Sequence, residues 1–168
     1  MKFKLSTVAA LFMVAVVTAG WVAFPTDDHA PDVTFKTLSG EQITTRDLRG
    51  RPLLVSFWAS NCVSCLREMP HLVELHHELN ARGFQIVGVA MDYDPPNRVV
   101  ETAARFKIPY RVSLDLDGQI AEAFDDVRFT PTNYLIDAAG RVVFRHTGLM
   151  DIARLRDDII ALLPANES

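Results

Sequence analysis

Cysteine is scarce in this chain of 168 residues: there are two, against nine prolines and eight glycines. Two cysteines cannot build the multi-bridge framework that holds small secreted scaffolds together. No segment recurs at a fixed spacing, which excludes a solenoid or propeller. Runs of like charge are missing too. The 17 basic and 21 acidic residues are scattered, with a net charge of −4, so neither the clustered basic face of a nucleic-acid binder nor a polybasic membrane patch is present. The remaining balance, 49% hydrophobic and 23% charged, is that of a folded globular chain.

What is present is one long apolar run. From Leu5 to Phe24 there is no charged residue, with Lys2 and Lys4 before it and Asp27 and Asp28 after it. As a helix this run spans about 30 Å, the thickness of a bilayer hydrocarbon core. The positive-inside rule keeps its basic flank in the cytoplasm and sends the rest of the chain outward. Val17-Thr18-Ala19 also offers a small-residue site for signal-peptide cleavage. Residues 1–25 are therefore expected to be an N-terminal membrane anchor or signal segment, 26–30 a linker, and 31–168 one exported domain. A domain of that size buries about two-thirds of its unfolded surface and needs neither metal nor bridge to fold.

Within it, Val33 to Leu38 alternates as a strand and Gln42 to Thr44 returns beside it. Leu53 to Trp58 is a continuous apolar run, the mark of a strand buried on both faces. Asn61 is placed to cap a helix from Cys62 to near Gly83, with Leu66, Met69, Leu72, Val73, His76 and Leu79 as its apolar stripe and a kink at Pro70. A strand over Phe84 to Met91, a helix over Asn97 to Phe106, an extended piece over Tyr110 to Leu114 and a helix over Ile120 to Phe124 follow. Strands at Thr132 to Ile136 and Arg141 to His146 flank a hairpin turn, and Ile152 to Leu163 forms the last helix. Strands alternating with helices predict an α/β wound sheet.

The reactive constellation is Trp58-Ala-Ser-Asn-Cys62-Val-Ser-Cys65, at the junction of a buried strand and a helix. Free amides and the macrodipole at a helix N-terminus favour the thiolate of the first cysteine, and the second lies one turn inside. Cys62 is thus the expected nucleophile and Cys65 the resolving thiol. A bridge across so short a loop constrains the unfolded chain by only about 2 kcal/mol, which makes it a poor staple. A zinc site lacks a second cysteine pair, and His71, His76 and His77 are expected on the helix surface, His76 partly buried. No metal and no cofactor are expected.

Further matches accompany the dithiol: Ala30-Pro31-Asp32, Asp47-Leu48-Arg49-Gly50, Phe57-Trp58-Ala59, Glu68-Met69-Pro70, Thr130-Pro131-Thr132, Leu135-Ile136-Asp137, Gly140 and Gly148. In this order and spacing the chain, from Ala30 to Leu163, resembles the membrane-anchored thioredoxin-like thiol:disulfide oxidoreductases of the TlpA/ResA/CcmG (DsbE) type. The resemblance implies a thioredoxin fold with an N-terminal β extension and a central insert, preceded by one membrane helix. It implies a cis peptide bond before Pro131, facing the dithiol, with the Thr130 backbone free to pair with an incoming peptide. Glu68 matches an acid that helps set cysteine protonation, and Trp58 matches the tryptophan beside the active site. The sequence departs from the pattern at Ser56, where thioredoxins carry a buried aspartate, at Asn61 in place of an aromatic, at Val63-Ser64 in place of a proline-containing dipeptide, and at Phe129, where glycine is frequent.

The function so implied is reduction of disulfides in periplasmic proteins, an apocytochrome c haem-binding pair or a copper-site assembly factor, by a monomer on the bacterial inner membrane or, if cleaved, free in the periplasm. A transmembrane thiol reductant would supply its electrons. Two rival uses of the same cysteines are a copper-binding assembly chaperone, with a histidine such as His146 as further ligand, and a thiol peroxidase. The first is disfavoured by the two-residue spacing. The second lacks a Thr-x-x-Cys and a downstream Trp-Asn pair.

Overall fold

The computed structural model describes residues 28–164; the anchor or signal segment and the first two residues of the linker expected before them lie outside that range. No helix among the described residues is long and apolar enough to cross a membrane. The chain begins with a short hairpin, β1 (Thr34–Lys36) and β2 (Gln42–Thr44), paired antiparallel. Then come β3 (Leu53–Trp58), α1 (Val63–Leu79) with a 3-10 turn over Asn80–Arg82, β4 (Gln85–Ala90), α2 (Pro96–Arg105), β5 (Arg111–Leu114), α3 (Gln119–Ala123), β6 (Thr132–Ile136), β7 (Val142–Thr147) and α4 (Ile152–Leu162).

The sheet has five strands in the order β5-β4-β3-β6-β7. β3, β4 and β5 run parallel, and β6 and β7 antiparallel to their neighbours. This is the thioredoxin-like α/β arrangement, with β1–β2 as the N-terminal extension and α2–β5 as the insert that widens the sheet beyond β4. Side chains alternate between two cores because strand residues point to opposite faces. Leu54, Trp58, Ile86, Ala90 and Leu135 pack with Met69, Leu72, Leu75, Leu155 and Ile159 of α1 and α4. Leu53, Val55, Phe57, Val87, Val89 and Tyr134 pack with Phe35 and with Ile120, Ala121 and Phe124 around α3.

The N-terminal segment crosses this second face from edge to edge. At one end His29 bridges to Arg141 and Val142 N–H donates to the Asp28 carbonyl, alongside β7. At the other, Thr37 bridges to Ser113 and Leu38 N–H donates to the Val112 carbonyl, alongside β5. Ala30 and Phe35 are buried between them.

Two expectations for α1 need correction. Its N-cap is Cys62, not Asn61: the Cys62 sulfur accepts the Cys65 N–H, and the helix starts at Val63. Its buried stripe is Cys65, Glu68, Met69, Leu72, Leu75 and Leu79, so Leu66 and Val73 are only half-buried, while His76 is partly buried as expected. The stripe turns because the second cysteine and Glu68 face the sheet. The helix continues through Pro70, whose ring lies on the exposed side.

α3 is short and its N-terminal amides are met from outside. Buried Asp115, just after β5, accepts the N–H groups of Ile120 at 3.0 Å and Ala121 at 2.8 Å, the role a capping side chain plays at a longer helix.

Candidate active site

The end of β3 delivers the dithiol. After Trp58, the Cys62 N–H turns back to the Ala59 carbonyl at 3.1 Å, which leaves the Cys62 side chain at the mouth of α1. Cys62 and Cys65 are joined as a disulfide, with Cα atoms 5.2 Å apart, inside the span a bridge requires. The Cys62 sulfur is half-buried and takes the Cys65 N–H at 3.2 Å. Such a helix-end amide stabilises a thiolate once the bond is reduced. The Ser64 hydroxyl lies 3.4 Å from the same sulfur. Cys65 is 3% exposed and belongs to the core under α1.

The Thr130–Pro131 bond is cis, as the resemblance implies. It brings the Thr130 carbonyl oxygen to 3.5 Å from the Cys62 sulfur. Pro131 is buried, and its carbonyl accepts the Gly148 N–H. Trp58 is also buried, its indole lying where a side chain at residue 88 would stand: a Cβ on Gly88 would come within 3.1 Å of the ring nitrogen. Glycine at 88 is therefore a matter of space.

Beneath Cys65 is a cavity of about 10 Å³, bordered by Ser56, Trp58, Glu68, Tyr110 and Pro131, room for roughly one water. Ser56 thus sits in this cavity wall without a charge, and the carboxylate at hand is Glu68, projecting from the helix. Glu68 is 3% exposed. Its Oε1 accepts the Asn133 amide at 2.9 Å, and its Oε2 accepts the Met150 N–H at 3.3 Å. Burial pushes its carboxyl above the ordinary carboxylate range, against the opposing pull of those two hydrogen bonds and of His146 and His71. Tyr110 is pushed far above a free phenol by burial first and by the Glu68 charge second.

Because the folded state favours protonated Glu68, its contribution to stability is full below the ordinary value of 4.5 and is lost as pH rises through the folded value. The loss is about 1.4 kcal/mol for each tenfold difference in proton affinity between the folded and unfolded chain. The gap in Tm between the native chain and Glu68→Gln will therefore close, or reverse, as pH rises from 4.5 toward neutrality. Thermal melts across that range check it; a gap that widened with pH would contradict the assignment.

Large apolar side chains stand open on the segments next to Cys62 and Thr130 and on two further loops. Val63, beside Cys62, is 65% exposed, and Phe129, beside Thr130, is 73% exposed. Leu149 and Tyr93, on the β7–α4 and β4–α2 loops, are exposed as well. His146 turns its Nε2 to the Leu149 carbonyl at 3.0 Å. Among the described residues no group of three His, Cys, Asp or Glu side chains could hold a metal ion. Larger clefts between β1 and α3 and below His76 and Tyr110 do not include either sulfur.

Sequence reasoning missed Asn133, Tyr110, Ser60 and Asp94. Asn133 had a visible signal, an amide in the middle of the apolar run Thr132 to Ile136, which must find a partner once buried. Asp94 accepts both the N–H and the hydroxyl of Ser60.

A redox pair at the mouth of a helix, backed by a thioredoxin sheet and walled by a cis-proline loop, defines a thioredoxin-like thiol-disulfide oxidoreductase. The chain belongs to the Redoxin family, which matches it over residues 25–159. Thiol-disulfide oxidoreductase ResA of Geobacillus kaustophilus is 33% identical over 133 residues, 77% of this chain and 75% of that protein. ResA of Bacillus subtilis is 28% identical over 152 residues, 90% of this chain and 84% of that protein. A thiol:disulfide interchange protein of the thioredoxin family from Chlorobium tepidum superposes with a TM-score of 0.75 at 25% identity, over 84% of this chain and 100% of that one. Disulfide-containing molecules are accordingly its substrates.

Proposed function

We propose that the chain reduces disulfides in exported proteins, with Cys62 as the attacking thiol and Cys65 as the resolving one. The observation that carries this reading is the asymmetry of the pair: a half-buried sulfur on a helix-end amide, and a buried one beside Glu68. The Cys62 thiolate attacks one sulfur of the partner disulfide and releases the other as a thiolate, leaving a mixed disulfide. Cys65 then gives its proton to Glu68, directly or through one water in the cavity. Its thiolate attacks the Cys62 sulfur, closes the Cys62–Cys65 bond and expels the second partner sulfur, which takes up a proton. Two electrons pass to the partner. A carboxyl raised by burial is the better proton acceptor here, since its pKa lies nearer that of a thiol.

The Thr130 backbone, beside the sulfur, is suited to pair with an extended partner segment, and Trp58 backs the turn. The open apolar groups at Val63 and Phe129 suit a partner whose cysteines have apolar neighbours. For a domain exported by residues 1–25 and held at the bacterial inner membrane or released into the periplasm, re-reduction calls for a transmembrane thiol donor. The resemblance points to an apocytochrome c haem-binding pair or a copper-site assembly factor as partner, and the chain is taken to act as a monomer. Cys65→Ser, expressed in full-length form, is expected to accumulate a mixed disulfide through Cys62 with an exported protein carrying a cysteine pair, dissolved by dithiothreitol. An adduct that survives loss of Cys62, or none under any growth condition, would overturn the reading.

A further inference from the structure

The turn carrying the dithiol is tied to the next loop by a buried carboxylate that the exchange steps do not use. Asp94, in the β4–α2 loop, is buried. Its Oδ2 accepts the Ser60 N–H at 2.5 Å and its Oδ1 accepts the Ser60 hydroxyl at 2.6 Å. Ser60 is the midpoint of the turn from Trp58 to Cys62. The same loops are joined by Met91 N–H to the Trp58 carbonyl at 3.1 Å, and Asp94 N–H returns to the Met91 carbonyl at 3.0 Å. The partners of this carboxylate in the turn are neutral donors, so its charge is not cancelled there. One residue, Asn61, separates Ser60 from Cys62, which puts the charge on the order of 10 Å from the sulfur.

We propose that Asp94 is a positioning residue that fixes the Ser60 turn and, by its charge, holds down the thiolate fraction of Cys62 and keeps the dithiol reducing. A nearby negative charge disfavours a thiolate. A less stabilised thiolate means a less stable reduced form, hence a lower reduction potential. The inference rests on Cys62 being the attacking thiol. Other ionisable groups near the site are differently engaged. Glu68 and Tyr110 border the cavity below Cys65. Arg128 pairs with Asp126, Asp92 points toward Gly118, and His146 turns to the Leu149 carbonyl. Arg67 is exposed on α1.

Asp94→Asn separates charge from shape, because the amide oxygen still accepts the Ser60 N–H and the amide nitrogen donates to the Ser60 hydroxyl oxygen. Ser60→Ala does the reverse, keeping the charge and losing one hydrogen bond. Two readouts on the full chain are the pH profile of Cys62 alkylation by iodoacetamide and the equilibrium in which oxidised protein and two glutathione give reduced protein and glutathione disulfide. Asp94→Asn is expected to move the alkylation profile to lower pH and the equilibrium toward reduced protein, each by about two- to tenfold. Ser60→Ala is expected to lower Tm and leave both unchanged. If the amide variant does not fold, Asp94→Ser carries the same expectation. A neutral variant that coincides with the native chain, or shifts the other way, overturns the proposal. Neither readout involves a protein substrate, so that result would leave the proposed reduction of exported proteins standing. A native chain that fails to exchange with glutathione would instead sink the proposed reaction.

Discussion

Cys62→Ser will bring disulfide exchange down to the uncatalysed background, a loss on the order of a thousandfold or more. The reason is the order of events at the two sulfurs. Only a thiolate attacks a disulfide, and a serine hydroxyl at this position is not ionised near neutral pH. Cys65 cannot take over, because it is 3% exposed beneath the first turn of α1. Cys65→Ser will differ in kind: its first attack proceeds and then stalls as the mixed disulfide. Stopped-flow measurement with a disulfide peptide separates the two, the first variant giving no burst and the second a burst of one released thiol per chain that then stops. A burst from Cys62→Ser would reverse the roles of the sulfurs.

Phe57→Ala will cost about 3–5 kcal/mol of stability and lower Tm by about 10 °C or more. Phe57 lies in the central strand with no exposed surface. Its ring meets Phe124 at 5.4 Å and Tyr134 at 6.0 Å, and those two meet each other at 5.0 Å, all edge to face. Tyr134 is pinned by its hydroxyl donating to the Phe124 carbonyl at 2.7 Å, so the ring cannot swing in to fill the space without giving up that bond. A cavity that stays open costs more than the lost transfer energy alone. Urea unfolding checks this. A cost below about 1.5 kcal/mol would mean that the two remaining rings, Phe124 and Tyr134, repack to fill the space as fully as after a volume-conserving exchange.

The sheet was legible in the sequence where burial is complete. Leu53 to Trp58 and Thr132 to Ile136 are strands with the predicted bounds because short, mostly apolar runs of this length between turn residues fit a strand buried on both faces. β1 is shorter than Val33 to Leu38 because side chain and backbone pull its ends elsewhere: Val33 N–H goes to the Thr45 hydroxyl and Thr37 to Ser113. The two cysteines announced themselves by spacing and position. The helix cap did not, since neither Asn61 nor Cys62 advertises which side chain will turn toward the Cys65 amide. Glu68 was matched by resemblance, but its burial came from a partner, Asn133, 65 positions away. Asp94 and Ser60, 34 positions apart, were invisible for the same reason. Contacts between loops follow from strand order, and periodicity carries no record of strand order.

That strand order also leaves β5 and β7 as the outermost strands, where unpaired amides and carbonyls invite a second molecule to add on. The segment that starts at Asp28 beside β7 and reaches Leu38 beside β5 occupies part of both rims. What looks like a simple lead-in to the domain is therefore a guard against edge-to-edge aggregation. It works at both sides with one stretch of chain, so anything that peels it from the face uncovers two sticky borders at once.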